Sequence, residues 1–280
     1  MRVVLLLPLL ACSPPSRCPV GEVRDGADGC LPYEPDAPTP AVDVLAVPNG
    51  LTWQWQITEA VDTSHDVDLY DVDLFQLTEA VQEQLRADGR IVICYFSAGS
   101  YEPWTDDADQ VPDEAIGRRL DGWPDERWLD PTHPEVRAIM EARLDLAVAR
   151  GCDGVEPDNV TAYHNRTGFA VNATEQLDYN RFLADEAHAR GLAVALKNDV
   201  EQVPELVDWF DFTVNEECAD YDECDTLRPF VQADKAVLHA EYVDDWSDAD
   251  ARAGEVCGVE PGLSTIVKTW DLGPELLACP

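Results

Sequence analysis

Basic residues are scarce in this 280-residue chain: 19 Lys and Arg stand against 56 Asp and Glu, for a formal net charge of −37. A field of that sign repels nucleic acid and anionic lipid surfaces and attracts cationic ligands. The plainer reading of the same acidity is a solvated coat that serves solubility. There is no C-x-x-C pair, and the five histidines (His65, His133, His164, His188, His239) are scattered, so no metal site and no cofactor are expected. The Asp-rich runs at 106–109 and 244–250 lack the spacing of an EF-hand loop. Nowhere does an apolar run approach the ~20 residues of a membrane-spanning helix. No internal repeat is visible.

What is present fits one α/β domain of ordinary size. The apolar fraction, 45%, supports a sizeable core, and a closed α/β barrel needs roughly 250 residues. Arg2, the short apolar run from Val3 to Leu10 and the sequence Leu9-Leu10-Ala11-Cys12 resemble a bacterial lipoprotein signal, with Cys12 as the lipidated residue. The expected organisation is a signal over 1–12, a Pro/Asp-rich tether over 13–47 and a catalytic domain over 48–280. The expected localisation is the bacterial cell envelope, with simple secretion as the alternative, and any membrane contact is through the lipid anchor alone. If Cys12 carries lipid, eight of the nine cysteines remain, an even number that suits an oxidising compartment. Short loops would be closed by Cys18–Cys30, Cys218–Cys224 and Cys257–Cys279. Cys94 and Cys152 lie in apolar, strand-like runs and fit equally well as buried thiols.

From Leu51 onward β-rich runs alternate with helical stretches, the mark of βα units on a parallel sheet. Strands are expected at 52–57, 67–73, 90–98, 151–157, 191–198, 210–216, 235–242 and 263–270, and eight is the number that closes a (β/α)₈ barrel. Glu135 to Arg150 carries apolar residues at helical spacing between Pro134 and Gly151. Glu175 to Arg190 ends at Gly191 and begins with a capping box of Asn172 and Glu175. The segment 222–233 is a weaker helix because it contains Pro229. The stretches 99–133 and 157–174 read as long loops over the active face.

Catalytic groups of such a barrel sit at the C-terminal ends of its strands. Those ends carry Gln54, Trp55 and Gln56; Asp71 and Asp73; Tyr95 and Ser97; Glu156, Asp158 and Asn159; Lys197, Asn198 and Asp199; Asn215, Glu216 and Glu217; Glu241 and Tyr242; Lys268 and Trp270. Any one acid there serves equally well as a helix cap. Carboxylates at the same end of at least four strands, with aromatics among them, are what glycosidic cleavage requires.

The ordered motifs Trp53-Gln54-Trp55-Gln56, Tyr70-Asp71-Val72-Asp73, Cys94-Tyr95-Phe96-Ser97-Ala98-Gly99-Ser100, Gly154-Val155-Glu156-Pro157-Asp158-Asn159, Leu196-Lys197-Asn198-Asp199, Val214-Asn215-Glu216, Cys218…Cys224 and Glu241-Tyr242 resemble glycoside hydrolase family 114. These are the endo-α-1,4-polygalactosaminidase-like barrels. The resemblance implies a (β/α)₈ glycosidase that cuts α-1,4-linked galactosamine or N-acetylgalactosamine polysaccharide, endo-acting and retaining. It implies Asp158 as nucleophile and Glu216 as general acid/base. Trp55, Asp71, Asp73, Tyr95, Ser97, Glu156, Asn159, Lys197, Asn198, Asp199, Glu241 and Tyr242 would then line the sugar cleft. A retaining pair sets its carboxyl groups ~5–5.5 Å apart, an inverting pair ~6.5–9.5 Å. A second carboxylate at Glu217 would help to keep Glu216 protonated if it lies close, although neighbours on a strand point to opposite faces. The partner is an amino-sugar polymer, cationic where deacetylated, and the chain is expected to be a monomer. The rival readings are a carbohydrate-binding barrel without catalysis and a structural surface lipoprotein.

Overall fold

The computed structural model describes residues 43–280 and, ahead of them, two short strands. These strands, Glu22–Arg24 and Cys30–Pro32, pair antiparallel. The expected lipidation site Cys12 and the Cys18–Cys30 bridge lie outside the described residues, as does most of the expected tether.

Eight strands run parallel in chain order: β1 Trp53–Gln56, β2 Leu69–Asp73, β3 Ile91–Ser97, β4 Gly154–Asp158, β5 Ala193–Lys197, β6 Phe212–Glu216, β7 Val237–Val243 and β8 Leu263–Thr269. Each falls within a residue or three of its expected range. Strands of this kind are buried on both faces, which is why they read as nearly unbroken apolar runs. Trp53, Trp55, Leu69, Ile93, Phe212 and Leu238 belong to the core inside the barrel. The alternate residues, among them Val72, Val92, Val155 and Leu196, belong to the layer under the helices. The barrel seam is closed by side chains: Trp53 Nε1 donates to the Ser264 carbonyl (2.8 Å) and Lys268 Nζ to Gln54 Oε1 (2.9 Å). Gln54 and Lys268, at strand ends in the sequence, therefore serve the seam.

Helices occupy six of the connections: α1 Glu79–Ala87, α2 Pro134–Arg150, α3 Ala173–Ala189, α4 Val203–Leu206, α5 Arg228–Gln232 and α6 Ala249–Val256. The start and stop signals act as the sequence suggests. Pro134 opens α2 and Gly151 ends it in the left-handed region, while Asn172 and Glu175 form the capping box of α3. Pro229 does not interrupt α5 but sits in its first turn, where a missing N–H costs nothing. No helix joins β1 to β2, and after β8 the chain turns back as Leu277–Ala278, antiparallel to β8. The stretch after β3, expected as an irregular loop, holds a small antiparallel sheet of Ser100–Tyr101, Ile116–Leu120 and Trp123–Leu129.

Cys218–Cys224 and Cys257–Cys279 are disulfides, and Cys94–Cys152 is a third. The last joins β3 to the turn before β4 across 58 residues of sequence. Closing a loop of that length removes denatured-state entropy equivalent to roughly 4 kcal/mol. The double variant Cys94→Ala/Cys152→Ala is expected to lose about 2–4 kcal/mol of unfolding free energy in urea titration. An unchanged midpoint would show that the bridge constrains nothing.

Candidate active site

Strand alternation decides which end residues face the barrel mouth. Trp55, Asp73, Tyr95, Asp158, Lys197, Glu216 and Tyr242 line one cleft of about 480 Å³, joined by Asn159 and Asn198 from the residues just after β4 and β5. Those two asparagines and Glu217 have positive φ, so three successive strands exit through a left-handed residue. The β4 exit is fixed closely. The Asp158 carbonyl accepts from the backbone N–H groups of Ala98 (2.8 Å) and Gly99 (3.0 Å). Only glycine fits at position 99, because a Cβ there would lie 1.8 Å from the Asn159 carbonyl oxygen.

Lys197 is the centre of the site. Its ammonium lies 2.9 Å from Glu156 Oε1 and 3.3 Å from both Asp158 Oδ2 and Glu216 Oε2. It also sits 4.4 Å from the Trp55 ring centroid, so Trp55 is a platform for the lysine. Burial alone would favour the neutral amine, but Asp158, Glu156 and Glu216 outweigh it and raise the Lys197 pKa well above the usual value. Asp71 and Glu156 lie buried beneath, lining no part of the cleft. Burial pushes Asp71 up to about 7 and, with Asp71 as neighbour, pushes Glu156 well above the carboxylate range. Burial and their mutual repulsion thus favour the protonated form in this pair.

Tyr95 donates to Asp158 Oδ2 (3.3 Å) and the Asn159 backbone N–H to Asp158 Oδ1 (2.6 Å). Glu216 accepts from Tyr242 (2.5 Å) and from Asn198 Nδ2 (3.0 Å). Burial acts to raise the Glu216 pKa, but Lys197, Tyr242 and Asn198 together bring it below the ordinary value. The expected help from Glu217 is not seen: its backbone turns to bond Ala240, and it does not line the cleft. In the free site Glu216 is an anion at neutral pH.

Five expected lining residues stand outside the cleft: Asp71 and Glu156 beneath it, and Ser97, Asp199 and Glu241. Ser97 is buried, bonded to Ser100 and Asn159, and holds the β3 exit. Asp199 accepts from Tyr163 (2.9 Å) and Asn180 (2.8 Å), because the left-handed turn at 198–199 carries it away from the cleft. Glu241 alternates with Tyr242 and so points out of the barrel, where it pairs with His239 (2.8 Å), the Ala219 N–H and Arg252. All five are corrections to the sequence reading. The sulfurs of Cys218 and Cys224, which lie beside His239, are spent on each other as a disulfide.

The sequence reading set 99–133 over the active face but named none of its residues as lining the cleft. Glu102, Trp104, Leu120, Trp123 and Glu126 line the cleft from this insertion, with Thr161 and Asp271 from other loops. Trp104, Trp123 and Trp270 are exposed, at 59%, 52% and 46%. Burial raises Glu102 to about 8, and Glu126 is raised for the same reason although Ser100 donates to it.

Acids set on two strands around one lysine, with indole faces open along the approach, are suited to breaking a bond between sugars that stack on those faces. The fold and the site define a glycoside hydrolase. The chain belongs to glycoside-hydrolase family GH114, whose model matches residues 35–279. It is similar to the crystal structure of Aspergillus fumigatus Ega3 in complex with galactosamine, at 39% identity over 86% of this chain and 99% of that one, with a TM-score of 0.81. The glycoside hydrolase domain of PelA from Pseudomonas aeruginosa shares the fold, at 17% identity over 82% of this chain and 99% of that one, with a TM-score of 0.66. No curated protein matches the chain.

The ammonium of Lys197 stabilises the Glu216 carboxylate, so its removal must raise the Glu216 pKa. Lys197→Met is expected to move the Glu216 titration, followed by ¹³C NMR of labelled glutamate, to higher pH. A midpoint that stays or falls would show that Lys197 does not govern this carboxyl.

Proposed function

We propose that the chain is an exported glycosidase that cleaves α-1,4-linked galactosamine polymers, free or partly N-acetylated, in endo fashion and with retention of configuration. The observation that carries the reading is the shared lysine. Asp158 Oδ2 and Glu216 Oε2 each lie 3.3 Å from Lys197 Nζ, so they are no more than twice that distance apart. This suits a retaining pair at ~5–5.5 Å and reaches only the short edge of the ~6.5–9.5 Å that inversion needs. The acids of the cleft, Asp73, Glu126, Asp158, Glu216 and Asp271, against the single Lys197, favour a cationic sugar. The three exposed tryptophans favour several sugar units bound at once. The galactosamine complex of Ega3 supports carrying that sugar over to this cleft.

In the proposed cycle an Asp158 oxygen attacks the anomeric carbon while the bond to the leaving oxygen breaks, and that oxygen takes the proton of Glu216. Water then attacks the glycosyl ester, giving its proton back to Glu216 and freeing Asp158. While Asp158 is esterified its charge is gone, and Lys197 keeps only Glu216 and the buried Glu156 as partners. That favours the carboxylate which the second step needs as base. The first step needs the protonated form, whose fraction falls as pH rises through the depressed Glu216 pKa. The expected kcat/KM profile therefore has an acidic optimum and a descending limb towards neutral pH. A profile rising through pH 6–8 would remove Glu216 from the acid role.

Three disulfides support an oxidising compartment. Among the described residues no helix is long and apolar enough to cross a membrane. Lipid attachment at Cys12 belongs to this proposal.

The full chain, incubated with deacetylated α-1,4-galactosamine polymer, is expected to release new reducing ends. Asp158→Asn and Glu216→Gln should each lower the rate by about 10³-fold, and proton NMR should show the α-anomer first. No release by correctly folded wild type would sink the substrate, and a β-anomer first would sink retention.

A further inference from the structure

In residues 43–280 almost every basic side chain is engaged. Arg90, Arg137, Arg143, Arg190, Arg228 and Arg252 pair with carboxylates, and the lysines are held by carboxylates or carbonyls. Arg118, Arg119 and Arg166 are the exceptions. Among the described residues none of the three has an ion pair or a side-chain hydrogen bond. All three border the same depression of about 200 Å³, together with Asp121 and the buried Trp128. In a chain of 56 acids and 19 bases, three arginines that border one depression and have no side-chain partner among the described residues need a reason.

The fold brings them together deliberately. Arg118 and Arg119 lie on Ile116–Leu120 of the inserted sheet, and Arg166 comes from the connection between β4 and α3. The two pieces are clamped by the Arg118 N–H donating to the Thr167 carbonyl at 2.7 Å. Gly117 permits that approach, since a Cβ there would lie 2.2 Å from the Thr167 oxygen and 2.6 Å from the Phe169 ring. Asp121 shares the depression without neutralising any of the three. Arg127, opposite Arg119 across the ladder, turns its guanidinium back to the Gly117 carbonyl (2.6 and 2.8 Å) and leaves the depression to the others.

Guanidinium forks present paired N–H donors that match the oxygens of an oxyanion, and their mutual repulsion is relieved when one binds. A cationic sugar is repelled here, so this is not an extension of the cleft. We propose that Arg118, Arg119 and Arg166 form an anion-binding site that takes a tetrahedral oxyanion, phosphate or sulfate, either free or carried as an ester on a glycan. The same hairpin presents Leu120 and Trp123 to the acidic cleft.

The test is calorimetric titration of the full chain with sodium phosphate, sodium sulfate and a short sulfated oligosaccharide, at ionic strength fixed with chloride. The comparison is Arg119→Gln/Arg166→Gln, whose exposed positions leave the Tm unchanged. Wild type should bind saturably, and the variant at least about tenfold more weakly. Binding of the inorganic ions identifies a free anion as sufficient. Binding of the oligosaccharide alone, lost in the variant, identifies the glycan ester. No saturable binding of any probe by wild type, or equal binding by the variant, would overturn the site.

Discussion

Lys197 is the one basic residue that lines the cleft, and its fully buried ammonium stands within 3.3 Å of carboxylates from β4 and β6. Carboxylates buried this close together repel one another and shed their charge unless a counter-ion compensates them. With the lysine in place, Glu216 stays ionised, while Asp71 and Glu156 below share a proton. Trp55 and the β5 strand hold the lysine by packing and register. The mouth of the barrel is thus organised around a positive charge in a chain that has few to spend.

The same arrangement bears on the chemistry. A glycosidase needs one carboxyl that alternates between acid and base and another that remains a nucleophile. Two tyrosines, Tyr95 and Tyr242, each donate to one of the pair, and burial keeps both phenols protonated. The acids therefore differ less in their burial than in their other partners. Asp158 is fixed by its own strand exit, and Glu216 by Asn198 from the neighbouring one.

Around this centre the insertion after β3 decides what approaches. It contributes the buried Glu102 and Glu126 and two exposed tryptophans to the cleft, and it carries two of the three unpaired arginines on the same small sheet. Charge is sorted by sign over a short stretch of chain, which bulk composition alone does not reveal.

The eight strands, their order and the long helices were legible from residues 51–280, because buried parallel strands and capped amphipathic helices leave local patterns. The placement of Asp158 and Glu216 in the cleft was legible too, through their position at strand ends. Local patterns do not say where a side chain points once a turn intervenes, so Asp199 was placed in the cleft although it packs elsewhere, while Glu241 was placed there against the strand alternation that turns it outward. They also do not say which loops meet. Glu102, Trp123 and the cluster of Arg118, Arg119 and Arg166 owe their roles to contacts between segments distant in sequence, and Cys94 found Cys152 by the same means. The sequence by itself determined the barrel and its catalytic end, since period and propensity are local. The charge states of its acids and the walls of its cleft were decided by tertiary structure, because desolvation and Coulomb interaction depend on distances that only the closed fold sets.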